Sequence, residues 1–132
     1  MTVFADTFAL IAWLNPRDEA HTVVAAYLDV FTGRLLTTEW VLMELADALS
    51  APEARSTAAA FLKAVRVDPL FDVVGYAPAV YQAGFELFAT RPDKAWSLTD
   101  CISIGVMAER KVSEALTADH HFVQAGFRTV FK

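Results

Sequence analysis

The sequence lacks the features of a membrane, secreted or repetitive protein. Its longest uninterrupted apolar runs are far shorter than the roughly 20 residues of a membrane span. No basic segment followed by an apolar one stands at its beginning, so we expect no signal peptide. A single cysteine excludes an internal disulfide, and no repeat or low-complexity tract is present. These absences predict a cytoplasmic protein without a membrane partner.

Length and composition predict one folded domain. The chain has 132 residues, of which 55% are hydrophobic. That length supports one core and is too short for two ordinary domains, so we expect a single domain over residues 1–132. The apolar fraction excludes a disordered tail protein. Cys101 lies in an apolar helical stretch and is expected to be a core residue rather than a nucleophile.

Strand-like and helix-like segments alternate along the chain. The pattern predicts strands over 2–5, 35–37, 71–74, 115–117 and 128–131. It predicts helices over 8–14, 18–31, 40–49, 52–67, 78–89, 97–109 and 120–125. Such alternation indicates an α/β fold with three α/β/α layers and a mainly parallel sheet of four or five strands. Ligands of such folds bind beyond the carboxyl ends of the strands.

Four acidic residues follow predicted strands or begin helices at that edge of the sheet. We call them the four acids, and they are Asp6, Glu44, Asp100 and Asp119. Asp6 directly follows the first strand, and Glu44 lies in the helix after the second. Asp100 stands in the first turn of an apolar helix, and Asp119 follows the fourth strand. Most of their sequence neighbours are apolar.

Cations are missing from the sequence around each of the four acids. Lys and Arg are absent from residues 1–16, 35–54, 95–109 and 112–127. A buried carboxylate must be paired, hydrogen-bonded, protonated or metal-bound, because a bare buried charge costs several kcal/mol. Converging carboxylates without local cations suit Mg²⁺ or Mn²⁺, which accept oxygen ligands. Without these four charges the formal net charge of −5 becomes −1, so a polyanionic substrate anchored by metal is tolerable.

Helix capping is the alternative for three of the four acids. Asp6 and Asp119 each precede a predicted helix, where an acidic side chain caps free backbone N–H groups. Asp100 suits the positive end of its helix, with Ser97 or Thr99 as further cap candidates. Capping and metal binding are compatible, and chance convergence of all the acids at one edge is less expected than any single cap.

Glu44 has a different alternative. Asp47 lies one turn later on the same helix, so the two carboxylates would form a solvent-facing pair. The apolar residues around them leave little room for a wet face, which favours Glu44 in a polar pocket. These apolar neighbours are Leu42, Met43, Leu45, Ala46, Ala48 and Leu49.

Two other kinds of catalysis are disfavoured by the residues present. His120 and His121 are adjacent, and adjacent side chains on a helix point in different directions, so surface or core roles are expected for them. An aspartyl-phosphate phosphatase resembles Asp-x-Asp after its first strand. Here Phe4 and Phe8 stand two residues before and after Asp6.

The order and spacing of these segments resemble the PIN domain family, and within it the VapC-type toxins of bacterial toxin–antitoxin systems. The resemblance runs almost from end to end of the chain. It is carried by segments 5–7, 38–46, 97–101, 116–122 and 126–127, which read ADT, TEWVLMELA, SLTDC, LTADHHF and GF.

The resemblance implies a function. In such proteins the four acids bind Mg²⁺ or Mn²⁺ and hydrolyse RNA phosphodiester bonds, so it implies an endoribonuclease. It also implies an antitoxin protein that occupies the active site, and a homodimer. A catalytically silent module that uses the same fold for protein binding is the alternative. Hydroxyl side chains that often support the acids match Thr7, Ser97 and Thr99.

Overall fold

The computed structural model describes residues 1–132, which form five strands and seven helices. The strands are β1 (Thr2–Ala5), β2 (Arg34–Thr38), β3 (Phe71–Val74), β4 (Glu114–Leu116) and β5 (Arg128–Thr129). The helices are α1 (Thr7–Leu14), α2 (His21–Asp29), α3 (Glu39–Ala48), α4 (Pro52–Ala64), α5 (Pro78–Thr90), α6 (Leu98–Arg110) and α7 (His120–Gln124).

All strand pairs in the sheet are parallel, in the order β3-β2-β1-β4-β5. Strand β1 lies at the centre, and its residues Val3, Phe4 and Ala5 are fully buried. A parallel strand covered on both faces needs an unbroken apolar run, and β1 has one. The predicted parallel sheet with helices on both sides is confirmed.

The direction of chain progression reverses at β1. The chain moves outward from β1 to β2 and β3, then returns to the other side of β1 for β4 and β5. Because parallel crossovers are right-handed, this reversal places helices on both faces of the sheet. The carboxyl ends of β1 and β4 therefore border the crevice where such sheets bind ligands. Asp6 and Thr117 directly follow these two strands.

Helices α5 and α6 approach each other closely at Gly84. A Cβ atom at Gly84 would lie 2.4 Å from Cγ1 and 2.8 Å from Cα of Ile102. The second of these is a backbone atom, so the contact cannot be relieved by a change of rotamer. A glycine is therefore needed to seat α6, which carries Asp100, against α5.

We expect Gly84→Ala to destabilise the protein by about 1–3 kcal/mol, the usual cost of overpacking a core. Gly105 is the matched control, because it also lies within a helix and a Cβ there would meet nothing within 4 Å. Gly105→Ala should stabilise the protein by about 1 kcal/mol through helix propensity. Urea unfolding of both variants measures the difference, and equal effects would contradict the close α5–α6 contact.

The predicted second helix was too long at its beginning. It was expected from residue 18, but α2 begins at His21. The Asp18 carboxylate instead accepts the backbone N–H of Ala20 at 2.9 Å, a local turn that competes with helix. The helix also ends at Asp29 rather than at residue 31. Gly33 lies beyond it, and a Cβ atom at Gly33 would lie 2.0 Å from the Met1 carbonyl oxygen, so the close approach requires glycine there.

Smaller differences concern the ends of other elements. Helix α4 ends at Ala64 rather than 67, and β4 begins and ends one residue earlier than predicted. Strand β5 has two residues instead of four, and the chain beyond it packs by aromatic contacts such as that of Phe131 with Tyr27. No helix has the length and apolar character required to cross a bilayer.

Candidate functional site

Asp6 is the most buried of the four acids. It is the N-cap residue of α1 and only 5% exposed, yet its carboxylate makes no capping hydrogen bond of its own. The hydroxyl of Thr117 donates to Asp6 Oδ2 at 3.1 Å from the neighbouring strand end. The capping interpretation therefore does not account for this side chain. Its carboxylate is held at the end of β1 by a contact across the sheet.

Burial has a large effect on the acidity of Asp6. The pKa of its carboxyl is raised from 3.8 to about 7, chiefly by desolvation and in part by the nearby charges of Asp100 and Glu44. Hydrogen bonds from the Thr7 backbone and the Thr117 hydroxyl act in the opposite direction. The influence of two other carboxylates on Asp6 places three of the four acids in one electrostatic environment.

Glu44 faces the same region from α3. It is half-buried, and its Oε1 accepts a hydrogen bond from the hydroxyl of Thr7, the residue after Asp6. Asp47, one turn later, is exposed. The two residues therefore do not form a solvent-facing pair, and Glu44 points towards the end of β1.

Asp100 is both a capping residue and a neighbour of the other acids. Ser97 and Asp100 form a capping box at the start of α6, in which each side chain accepts the other's backbone N–H. The same Oδ2 atom of Asp100 lies 3.1 Å from Nδ1 of His121. Capping was one predicted role for Asp100, and it coexists with a position beside Asp6.

Asp119 caps the short helix α7. Its Oδ1 accepts the backbone N–H of His121 at 2.9 Å, and its own backbone N–H donates to the Thr117 hydroxyl at 3.1 Å. The Asp119 side chain is about one-third exposed, so it lies towards the mouth of the crevice. Thr117 thus links Asp6 and Asp119 through one hydroxyl group.

His121 is the residue whose role was missed from the sequence. We expected the two adjacent histidines to point in different directions and to lie on the surface or in the core. His120 is indeed exposed, but the two rings are only 4.6 Å apart. Nδ1 of His121 lies 3.1 Å from Asp100 Oδ2 and 3.4 Å from Asp119 Oδ1. The sequence signal for this position is a histidine two residues after a capping Asp. The cap accepts the backbone N–H of that residue and so holds the histidine near the Asp carboxylate.

The three predicted supporting hydroxyls lie in different surroundings. Thr7 and Ser97 bind Glu44 and Asp100 as described. Thr99 makes no side-chain hydrogen bond to any of the four acids. Thr117, which contacts Asp6, was not predicted.

No Lys or Arg side chain forms a salt bridge with any of the four acids. The cationic side chains that form salt bridges do so with Glu39, Asp72 and Asp93. Histidines are the only basic side chains beside the cluster. The four acids themselves thus remain without an arginine or lysine partner after folding.

The four acids do not all converge on one point. The one group of three metal-ligating side chains with all ligand atoms within 4.8 Å is Asp119, His120 and His121. The acids instead form a chain linked by hydrogen bonds through Thr7, Thr117 and His121. Carboxylate oxygens dominate this chain, and Asp6 is buried without a cation, so the residues fit a hard divalent ion.

Cys101 is buried next to Asp100 and is free. Burial raises the pKa of its thiol, and the charge of Asp100 raises it further. Both effects disfavour the nucleophilic thiolate. The structure agrees with the predicted core role of this cysteine.

A parallel sheet ordered β3-β2-β1-β4-β5 with acidic residues at the ends of its strands defines a recognisable class. Residues 3–128 match the family model of the PIN domain. The chain belongs to the PIN domain family.

Three solved structures share this fold over nearly the whole chain. VapC20 of Mycobacterium tuberculosis, a toxin that cleaves the sarcin–ricin loop, is 22% identical, with a TM-score of 0.86 and 95% of each chain covered. FitAcB of Neisseria gonorrhoeae is 16% identical, with a TM-score of 0.71; the match covers 100% of this chain and 97% of that one.

VapBC2 of Rickettsia felis, bound to a DNA fragment from its promoter, is 11% identical. Its TM-score is 0.69, and the match covers 100% of this chain and 99% of the other. Among curated proteins, none matches the sequence of this chain. At these identities the structural neighbours establish the fold.

Proposed function

We propose that this chain is a metal-dependent endoribonuclease that hydrolyses RNA phosphodiester bonds, of the VapC toxin type. The observation that carries the proposal is the buried carboxylate of Asp6. The charges of Asp100 and Glu44 raise its pKa, and it has no Lys or Arg partner. A cation beside such a group would lower its pKa and keep it fully ionised at neutral pH. Membership of the PIN domain family supports this interpretation.

The cation would be Mg²⁺ or Mn²⁺. Asp6 and Asp100 are the candidates for direct ligands, because the electrostatic effect of Asp100 on Asp6 exceeds that of Glu44. Glu44 and Asp119 would bind through water or orient the attacking water. When bound, the ion would polarise the phosphate and lower the pKa of a water molecule.

The remaining residues of the site hold these carboxylates in place. The Thr7 hydroxyl fixes Glu44, and the Thr117 hydroxyl fixes Asp6. The Ser97 backbone N–H and the His121 ring both contact Asp100 Oδ2, which leaves its second oxygen free to face a ligand. A site whose carboxylates are held before the substrate arrives loses less free energy to reorganisation during the reaction.

The proposed partners follow from the same assignment. RNA is the proposed substrate, and the sarcin–ricin loop cleaved by VapC20 is a defined RNA to test first. We further propose a cognate antitoxin and a homodimer, with residues 1–132 forming one domain in the cytoplasm. The net charge of −5 makes strong binding of RNA by the protein surface alone unfavourable, so the metal would be its main anchor.

Two carboxylates on α3 provide a matched test. The Glu44→Gln variant removes a charge beside Asp6, whereas Asp47→Asn removes a charge from the exposed side of the same helix. We expect Glu44→Gln to lower RNA cleavage in Mg²⁺ by about a hundredfold or more, the scale of a lost electrostatic group in an active site. Asp47→Asn should cleave at the wild-type rate.

The assay uses purified chain freed of any bound antitoxin, with and without EDTA. Equal cleavage by Glu44→Gln and wild type would remove Glu44 from the site. Wild type that cleaves no RNA in Mg²⁺ or Mn²⁺ would contradict the proposed activity and favour the protein-binding module.

A further inference from the structure

Two histidines lie at one end of the chain of acids, where oxygen ligands alone were expected. Nδ1 of His121 lies 3.1 Å from Asp100 Oδ2 and 3.4 Å from Asp119 Oδ1. Nδ1 of His120 lies 3.7 Å from the same Asp119 oxygen. We propose that Asp119, His120 and His121 form a binding site for a zinc-class cation, with Asp100 supporting His121, and that zinc bound there excludes Mg²⁺ or Mn²⁺ from the acids.

The distances suit a tetrahedral ion. Zinc binds His nitrogen and carboxylate oxygen at about 2.0–2.1 Å, so ligand atoms around one tetrahedral ion lie about 3.3–3.4 Å apart. Oδ1 of Asp119 lies 3.4 Å from Nδ1 of His121 and 3.7 Å from Nδ1 of His120. Both separations are within a few tenths of an ångström of the tetrahedral value, and the ligand atoms of Asp119, His120 and His121 all lie within 4.8 Å of one another. Small side-chain rotations would bring these three atoms onto one ion, with water as the fourth ligand.

The chemistry of the ligands selects the metal. Imidazole suits Zn²⁺, Cu²⁺, Ni²⁺ and Fe²⁺, whereas Mg²⁺ prefers carboxylate, carbonyl and water oxygens. Asp6 and Glu44 accept side-chain hydrogen bonds from the hydroxyls of Thr117 and Thr7, and no histidine nitrogen contacts either of them. His120 and His121 therefore give the two ends of the acid chain different metal preferences, oxygen-only near Asp6 and mixed nitrogen and oxygen near Asp119.

The site has an open path to solvent and a fixed inner side. The His120 side chain is 74% exposed, and that of His121 is 20% exposed. Asp119 and Asp100 are held by backbone N–H groups of His121 and Ser97. An ion can thus enter past His120 and meet carboxylates that are already oriented, as a metal site requires.

Inhibition follows because the two proposed sites share Asp119, and Asp100 of the Mg²⁺ or Mn²⁺ site contacts His121. Zinc bound by Asp119, His120 and His121 would hold the Asp119 carboxylate and place a divalent charge beside Asp100, which disfavours a second cation at the acids. This regulatory consequence rests on the proposed function, whereas zinc binding itself does not.

Zinc binding is tested by calorimetric titration of the full-length, tag-free protein with Zn²⁺ alone. We expect one tightly bound Zn²⁺ per chain. His120→Ala and His121→Ala should each weaken binding by at least about tenfold, the loss seen even for outer-shell partners of metal ligands. His120 is exposed, so its variant keeps the fold even if His121→Ala does not. The third histidine, His21, is the matched control, because its ring contacts the Ala12 carbonyl far from the acids.

His21→Asn should bind Zn²⁺ as the wild type does. Unchanged zinc affinity in both His120→Ala and His121→Ala would overturn the proposal, as would loss of affinity in Cys101→Ala alone. A second arm follows free Mn²⁺ by electron paramagnetic resonance. Stoichiometric Zn²⁺ should release bound Mn²⁺ from the wild type, and release should require about tenfold more Zn²⁺ in His120→Ala.

The two proposals fail in different ways. A wild type that binds Zn²⁺ through its histidines but never cleaves RNA contradicts the ribonuclease and leaves the zinc site standing. A wild type that cleaves RNA in Mg²⁺ and binds no Zn²⁺ contradicts only the zinc site. Zinc that binds through the histidines without releasing Mn²⁺ contradicts the exclusion of one ion by the other.

Discussion

Asp100→Asn is expected to reduce RNA cleavage by about a hundredfold or more while leaving the fold intact. Asparagine keeps one oxygen that can accept the Ser97 backbone N–H, and Asn and Asp cap helices about equally well. The lost charge is the one that contacts His121 and raises the pKa of Asp6. Asp100→Asn should therefore lose RNA cleavage activity while its unfolding free energy stays close to that of the wild type.

Ser97→Ala is the matched control for that experiment. It removes the hydroxyl that caps the backbone N–H of Asp100 and leaves the carboxylate charge in place. We expect a loss of about 1 kcal/mol in unfolding free energy, with cleavage lowered far less than in Asp100→Asn. Normal cleavage by purified Asp100→Asn would contradict the proposed mechanism. Cleavage that falls no further in Asp100→Asn than in Ser97→Ala would show that the main role of Asp100 is the cap.

Asp6→Asn is expected to stabilise the metal-free protein most at alkaline pH. The folded state holds a proton on Asp6 up to about pH 7, whereas the unfolded chain releases it near the ordinary value of 3.8. Between these values the folded state binds more protons, so wild-type stability falls as the pH rises. At 1.36 kcal/mol per pH unit the full loss is about 4 kcal/mol, reached above pH 7.

Urea unfolding in EDTA at pH 5 and pH 8 measures this effect. Wild type should be less stable at pH 8, and Asp6→Asn should show a smaller difference between the two values. Adding Mn²⁺ at pH 8 should restore the stability of the wild type by mass action, and it should stabilise Asp6→Asn less. The contradicting result is an equal change in unfolding free energy from pH 5 to pH 8 for the wild type and Asp6→Asn in EDTA. It would show that Asp6 is not protonated in the folded protein.

The architecture could be predicted because the strand signals are strong. The apolar run of β1 and the alternation of strands with helices specify a parallel sheet with little ambiguity. Helix ends were less predictable, because local side-chain bonds compete with helix formation. Asp18 shows this, since its bond to Ala20 N–H delays α2 by three residues.

The candidate site was predictable only in part. The four acids stand out because each follows a strand or begins a helix in a sequence window without cations. Thr117 does not stand out, because its bond to Asp6 joins residues 111 positions apart, which no local pattern reveals. His121 was expected to have a surface or core role because adjacent helical side chains normally diverge. At the start of α7, however, the Asp119 cap draws His121 towards the acids.

The source of the oxygen in the cleaved RNA tests the central claim most directly. A defined RNA is incubated with the antitoxin-free protein and Mn²⁺ in water labelled with ¹⁸O, and the product ends are analysed by mass spectrometry. Hydrolysis by an activated water predicts one ¹⁸O atom on the new terminal phosphate, no cyclic phosphate, and no cleavage in EDTA. Products that end in a 2′,3′-cyclic phosphate, or equal cleavage in EDTA, would contradict the metal-dependent mechanism.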